Sequence, residues 1–177
     1  MIVLDTNIVS ELCREIPDSE VLRWYSRQPE ASLFITSVTR GELAYGVLIM
    51  SPGRRRDLVQ CQIDGLLQVS FERRQLSFDE SAADEYAALK ARVKRIGRPS
   101  SEPDIMIAAI AKARGFVVAT RNVKDFAAFG LPLVNPFLGS RSVPARDIRA
   151  PGGTWTRNGR FRVKDAARRV TYQYRTN

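Results

Sequence analysis

The chain has 177 residues, 44% of them apolar, a formal net charge of +9, two cysteines and no histidine. That length suits one ordinary domain, able to bury its own core without disulfide or metal staples. The missing histidine excludes Ser-His-Asp and Cys-His hydrolysis, histidine-pair RNA cleavage and HExxH zinc sites, and Cys13 and Cys61 alone cannot make a four-ligand zinc site.

IVLD at 2–5 is a short apolar run ending in Asp, which predicts a buried strand. The same stretch lacks the basic region and cleavable apolar segment of a secretory signal, and no run of eighteen uncharged apolar residues follows. A cytoplasmic protein with no membrane contact is therefore expected. Val21, Leu22, Trp24 and Tyr25 predict a helix ending before Pro29. LFIT at 33–36 reads as a second strand. Val38, Tyr45 and Ile49 recur at helical spacing, and Glu42 falls on their face, so it is expected to point inward. VSF (69–71) and QLSF (75–78) compete for a third strand, and QLSF is preferred because it leads directly into a helix. Ala82, Tyr86, Leu89, Val93 and Ile96 form the stripe of that helix, and Gly97 stops it. Ser100-Ser101-Glu102-Pro103 opens the next helix, with Pro103 tolerated in the first turn. FVVAT (116–120) is a fourth strand and LPLVN (131–135) a fifth. Strands alternating with helices predict an α/β fold with a parallel sheet covered on both faces.

After Pro136 the pattern changes. Residues 139–153 read as a linker of Gly, Pro, Ser and Arg. TWTRNGRFRV then places Asn158-Gly159 between alternating segments, a hairpin signal. Residues 141–177 hold ten basic residues and two acids, so they carry +8 of the +9. The basic character belongs to this tail. The expected organisation is one compact domain over 1–138 and a weakly ordered basic extension over 139–177.

Four acids stand out. Asp5 ends the first strand, where parallel α/β sheets bind ligands, and it equally suits an N-cap. Glu42 faces inward, which calls for a cation or an arginine partner. Asp104 opens a helix and shares a face with Ile107, Ala108 and Ala111; a helix-dipole role is the plainer reading. Asp125 follows the fourth strand, beside Thr120, Arg121 and Asn122, and a turn or helix cap is the plainer reading. A doubly wound sheet brings such positions to one edge. Clustered acids raise each other's pKa, and a divalent cation relieves that penalty. Oxygen ligands without His or Cys favour Mg²⁺ or Mn²⁺, and such sites suit phosphodiester hydrolysis.

The segments IVLDTNIVSEL, FITSVTRGELAYGV, GRPSSEPDIMIAAIAKARGFVVATRNVKDF and GLPLVNPF, in this order, resemble the PIN-domain family. The likeness is specifically to the VapC-like and FitB-like ribonuclease toxins of type II toxin–antitoxin modules, and it covers about residues 1–138. It implies a three-layer α/β/α domain with a mostly five-stranded parallel sheet. It also implies Mg²⁺- or Mn²⁺-dependent cleavage of RNA and inhibition by a small cognate antitoxin. Carried over by position, Asp5 and Asp104 become the principal metal ligands and Glu42 completes the acidic cluster. Asp125 becomes the fourth acid, acting through water or a second metal, and Thr6, Asn7, Thr120 and Asn122 are supporting polar residues. A toxin homodimer bound to its antitoxin is expected. Leu22, Trp24 and Tyr25, with Leu43, Val47 and Met50, suggest apolar faces on which a helical antitoxin segment would dock. The family usually ends near the GLPLVNPF strand, whereas this chain continues.

A haloacid-dehalogenase-type phosphotransferase wants a second acid two positions after the strand-end Asp, and that position is Asn7. No GxxxxGK[ST] phosphate loop is present. The remaining alternative is a nucleic-acid-binding regulatory module acting through the tail, where Trp155, Phe161, Tyr172 and Tyr174 interleave with arginines.

Overall fold

The computed structural model describes residues 1–98 and 100–138, together with the backbone of 149–150, 153–155 and 161–163. In chain order the first 138 residues form β1 (Ile2–Leu4), α1 (Thr6–Leu12), α2 (Ser19–Arg27), β2 (Leu33–Thr36), α3 (Ser37–Leu48) and α4 (Arg54–Ser70). They continue with β3 (Gln75–Leu76), α5 (Glu80–Arg95), α6 (Glu102–Ala113), β4 (Val117–Ala119), α7 (Val123–Phe126) and β5 (Leu133–Val134). The five strands pair in parallel in the order β3-β2-β1-β4-β5. The first strand is therefore the central one, with Ile2 opposite both Leu33 and Val117. The chain steps outward from β1 to β3 and then returns to the other side of β1, which puts the topological switch between β1 and β4.

Adjacent residues of a strand point to opposite faces, and β1 shows what this builds. Leu4 packs into a core with α1, α2, α3 and α4, through residues such as Ile8, Leu22, Leu43 and Leu66. Val3 packs into a second core with α5, α6 and the segment around Phe126 and Phe129. This is the expected α/β/α architecture. Local chemistry sets the helix starts: Asp5, Asp18, Thr36, Asp79 and Ser101 each accept a backbone N–H at an N-cap, which offsets the loss of intrahelical partners there. Gly97, at φ 64°, supplies the left-handed turn after α5.

The preferred candidate for the third strand, QLSF, provides β3, whereas Val69 and Ser70 of VSF belong to the last turn of α4. The helix α4 has little sequence signal, because three arginines open it, Gly53 gives it no side-chain cap, and Ile63, Leu66 and Leu67 make only a narrow buried stripe. On α3 the buried face is Thr39, Leu43 and Val47, while Tyr45 and Ile49 are each 65% exposed. Thr39 tolerates burial because its hydroxyl pairs with that of Thr36 at 2.9 Å. Consequently Leu43 and Val47, like Leu22 and Tyr25, are core residues, and Trp24 packs partly buried against them; they do not form an open docking face.

Beyond residue 138, β6 (Arg149–Ala150), β7 (Gly153–Trp155) and β8 (Phe161–Val163) form an antiparallel sheet in the order β6-β7-β8, with Trp155 opposite Phe161. The Asn158-Gly159 turn and most of the linker lie outside the described residues, as do Tyr172 and Tyr174.

Helix α6 buries Ala108, Ala109 and Ala111 completely, and these short side chains leave little room for a larger one. Ala108→Leu should destabilise the domain by about 1–3 kcal/mol through overpacking. Urea denaturation measures this, and an unchanged midpoint would show that the helix has spare space.

Candidate active site

Strand pairing brings the first functional residues together. Leu4 of β1 lies opposite Ala119 of β4, and the Asp5 N–H donates to the Ala119 carbonyl at 3.0 Å. Asp5 and Thr120 therefore leave the sheet side by side. Asp5 is 2% exposed. Its Oδ1 accepts the Thr6 N–H at 2.7 Å, and its Oδ2 accepts the Thr120 hydroxyl at 2.7 Å and the Asn7 side-chain amide. Asn7 Oδ1 in turn accepts the Arg121 N–H at 3.0 Å, and Thr120 Oγ1 accepts the Asn122 N–H at 2.9 Å. These bonds tie the ends of β1 and β4 to one another. Asp5 is both the N-cap of α1 and a cleft residue, so the two sequence readings of this position are compatible.

Two other elements add acids. Glu42, half-buried on α3, accepts the Thr6 hydroxyl through Oε2. Asp104 sits in the first turn of α6, where its own N–H is held by Ser101 Oγ at 3.2 Å. An open cleft of about 390 Å³ is lined by Asp5, Thr6, Asn7, Glu42, Asp104 and Asn122. Asp125 behaves differently. It is exposed on the single-turn α7 and does not line the cleft, yet its charge still reaches Asp104.

The cleft also contains Ser10, Glu11, Arg14 and Phe137, which the sequence reading passed over, and Arg121, which it noted only as a polar neighbour. Glu11 is buried, with Oε1 accepting the Asp18 N–H at 2.9 Å and Oε2 paired with Arg14 at 3.3 Å. A signal existed for these residues: Asn7, Ser10, Glu11 and Arg14 recur at three, four and seven positions, so they share one face of α1.

Burial pushes the Asp5 carboxyl from 3.8 up to about 6. The Thr120 hydroxyl and the Thr6 N–H oppose the rise, and the charges of Asp104 and Glu42 add to it. Asp104 is also raised, by burial first, with the Ser101 hydroxyl pulling down and Asp125 pushing up. The donor set is all oxygen, which suits a hard divalent cation such as Mg²⁺ or Mn²⁺. Among the described residues, no group of three or more acids is arranged to hold one ion. The charges of Asp104 and Glu42 both reach Asp5, that of Asp104 more strongly. Two carboxylates and several waters are an ordinary Mg²⁺ shell, so the residues present fit such an ion.

Residues 2–130 match the family model for the PIN domain. The chain is similar to VapC ribonuclease Y4jK of Sinorhizobium fredii, with 41% identity over 137 residues, covering 77% of this chain and 98% of that protein. It is also similar to toxin FitB of Neisseria gonorrhoeae, at 31% identity over 77% of this chain and 99% of that one. Among solved structures, FitAcB from Neisseria gonorrhoeae superposes with a TM-score of 0.72 at 31% identity, over 77% of this chain and 99% of that chain. VapBC2 from Rickettsia felis, bound to a DNA fragment from its promoter, superposes with a TM-score of 0.64 at 27% identity, over 76% and 98% of the two chains.

The raised Asp5 pKa has a definite sign in stability. Between pH 3.8 and about 6 the folded chain keeps a proton that the unfolded chain has released. The folded state therefore loses stability as pH rises through that window and levels off above it. In EDTA, the stability of Asp5→Asn relative to wild type should rise from pH 4 to pH 6.5, by on the order of 2–3 kcal/mol at most. Urea titrations at the two pH values measure it. A pH-independent difference would mean that the buried carboxyl is not strained by its surroundings.

Proposed function

The chain belongs to the PIN-domain family, and from that premise we propose that it is the ribonuclease toxin of a toxin–antitoxin pair, hydrolysing RNA phosphodiester bonds at a Mg²⁺- or Mn²⁺-dependent acidic site. The observation that carries this reading is the cleft shared by Asp5, Glu42 and Asp104, with Asp5 buried and its pKa raised. Relatives named as ribonucleases or toxins support it.

Asp5 and Asp104 would hold the cation, which when bound lowers the pKa of a water and steadies charge on the phosphate. The chain's own residues supply the positioning. Thr6, Asn7 and Thr120 hold the Asp5 carboxylate in one orientation. Glu42 engages Thr6 through Oε2, so its Oε1 is the acceptor offered to the proton of the attacking water. Asp125 acts at longer range, through its field on Asp104. The partner is a cognate antitoxin, and the resting form is a complex with a dimeric toxin. Named complexes among the structural neighbours support the antitoxin, and the exposed Tyr45, Leu48 and Ile49 of α3 offer apolar surface for an interface. An antitoxin side chain of positive charge suits the acidic cleft, because it would neutralise the same carboxylates as the cation. The family match ends at residue 130 and the basic tail lies beyond it; we place the catalytic domain at 1–138 and assign 139–177 to RNA affinity.

Asp5→Asn and Asp104→Asn should each lower RNA cleavage by at least about 100-fold, since both remove charge from the cation site. Excess EDTA should abolish cleavage by the wild type, and expression of the wild type alone should arrest growth where Asp104→Asn does not. Full activity of either variant, or activity in EDTA, would overturn the reading. A chain ending at Ser140 should fold and still cleave at low salt, with a shallower dependence of RNA affinity on salt, because the tail's basic groups no longer displace counterions. Loss of all RNA affinity with the tail, from a full-length chain that does not cleave, would favour the regulatory-module alternative.

A further inference from the structure

Among the described residues, two cations line the acidic cleft, Arg14 and Arg121. Arg14 pairs with Glu11. Arg121 lines the same cleft as Asp5, Glu42 and Asp104, and among the described residues it forms no ion pair with any of them. Its guanidinium lies 4.7 Å over the ring of Phe137. Both members of this stack are anchored at strand ends: the Arg121 N–H donates to Asn7 Oδ1, just after β4, and the Phe137 N–H donates to Asn135 Oδ1 at 3.0 Å, just after β5.

We propose that Arg121, held on Phe137, binds a backbone phosphate of the RNA as it enters the cleft, an inference that rests on the ribonuclease reading above. The electrostatics require such a group. A cleft lined by carboxylates repels a polyanion, and a cation held by Asp5 and Asp104 would offset that repulsion only at the reacting phosphate. A neighbouring phosphate needs its own positive charge. An arginine free to swing would collapse onto the acids and cancel both. Stacking on an aromatic face holds the guanidinium by cation–π and planar contact, leaves its edge N–H groups for the ligand, and reduces the entropy lost when a phosphate is taken up by the planar fork. Lysine matches the charge but not the stack.

The test uses the full chain. In the Asp104→Asn background, anisotropy of a fluorescein-labelled single-stranded RNA is followed against salt, with and without Arg121→Ala. Removing one phosphate contact should reduce the slope of log K on log salt by about 0.7 and weaken binding by about tenfold. With the acids intact, Arg121→Ala should raise KM by a similar factor and move kcat far less. Arg121→Lys should restore the slope but only part of the affinity. Phe137→Leu should raise KM with every charge retained. An unchanged slope and KM in Arg121→Ala would overturn the inference, as would a loss confined to kcat. The two readings fail separately: a wild-type chain that cleaves no RNA with Mg²⁺ or Mn²⁺ overturns the ribonuclease, whereas normal cleavage with an unchanged slope overturns only the Arg121 contact.

Discussion

The buried carboxylate of Asp5 is the constraint on which the rest of the structure depends. A charge at that depth is costly unless hydrogen bonds and counter-charges surround it. The Thr6 N–H, the Asn7 amide and the Thr120 hydroxyl provide the hydrogen bonds. Thr120 reaches Asp5 only because β4 pairs directly with β1. Sheet order and site are thus one problem: any other neighbour for β1 would leave Asp5 without its main side-chain donor. The hydrogen bonds do not fully offset the burial, and the negative charges of Asp104 and Glu42 add to its cost. The cleft is held by the fold in a state short of positive charge, which is the physical basis for the cation we propose there.

The scaffold can hold that state because it is packed on both sides of β1. Leu4 and Val3 each enter a separate core, so the central strand is fixed from two directions. Three elements then deliver one acid each: the end of β1, the middle of α3 and the first turn of α6. Each is positioned by a polar contact close to the acid, through Thr6 for Glu42 and Ser101 for Asp104. This separates the work of burial, done by aliphatic residues, from that of aiming, done by hydroxyls and amides.

The strands were legible because buried parallel strands are short apolar runs, and those runs ended in polar residues that marked the site edge. Asp5 was legible for the same reason, whereas Glu42 was placed by helical spacing and Asp104 by the helix start at Ser101. Asp125 was drawn into the set by its place after β4, but the single turn of α7 carries it to the outside of the cleft. Periodicity misled on α3, since it registers apolar residues and not covered ones: Tyr45 and Ile49 lie open while Thr39 is buried. Helix α4 escaped notice because its buried stripe is three residues wide and its start carries no capping side chain. Arg121 and Phe137 show a different limit. Their contact depends on where the segment after β5 lies relative to the end of β4, and no local pattern encodes that.

One bond described above also sets an order of events. Asp5 and its donor Thr120 are 115 positions apart, and contacts of such separation form only after the intervening chain is available. On a ribosome, the strand made first waits for one of those made last. A fragment released before α6 contains Asp5 and Glu42, yet lacks Asp104, β4 and the Phe137 ring on which Arg121 rests. The cleft is therefore a property of the finished domain alone, and an interrupted synthesis yields a chain in which its acids are never brought together.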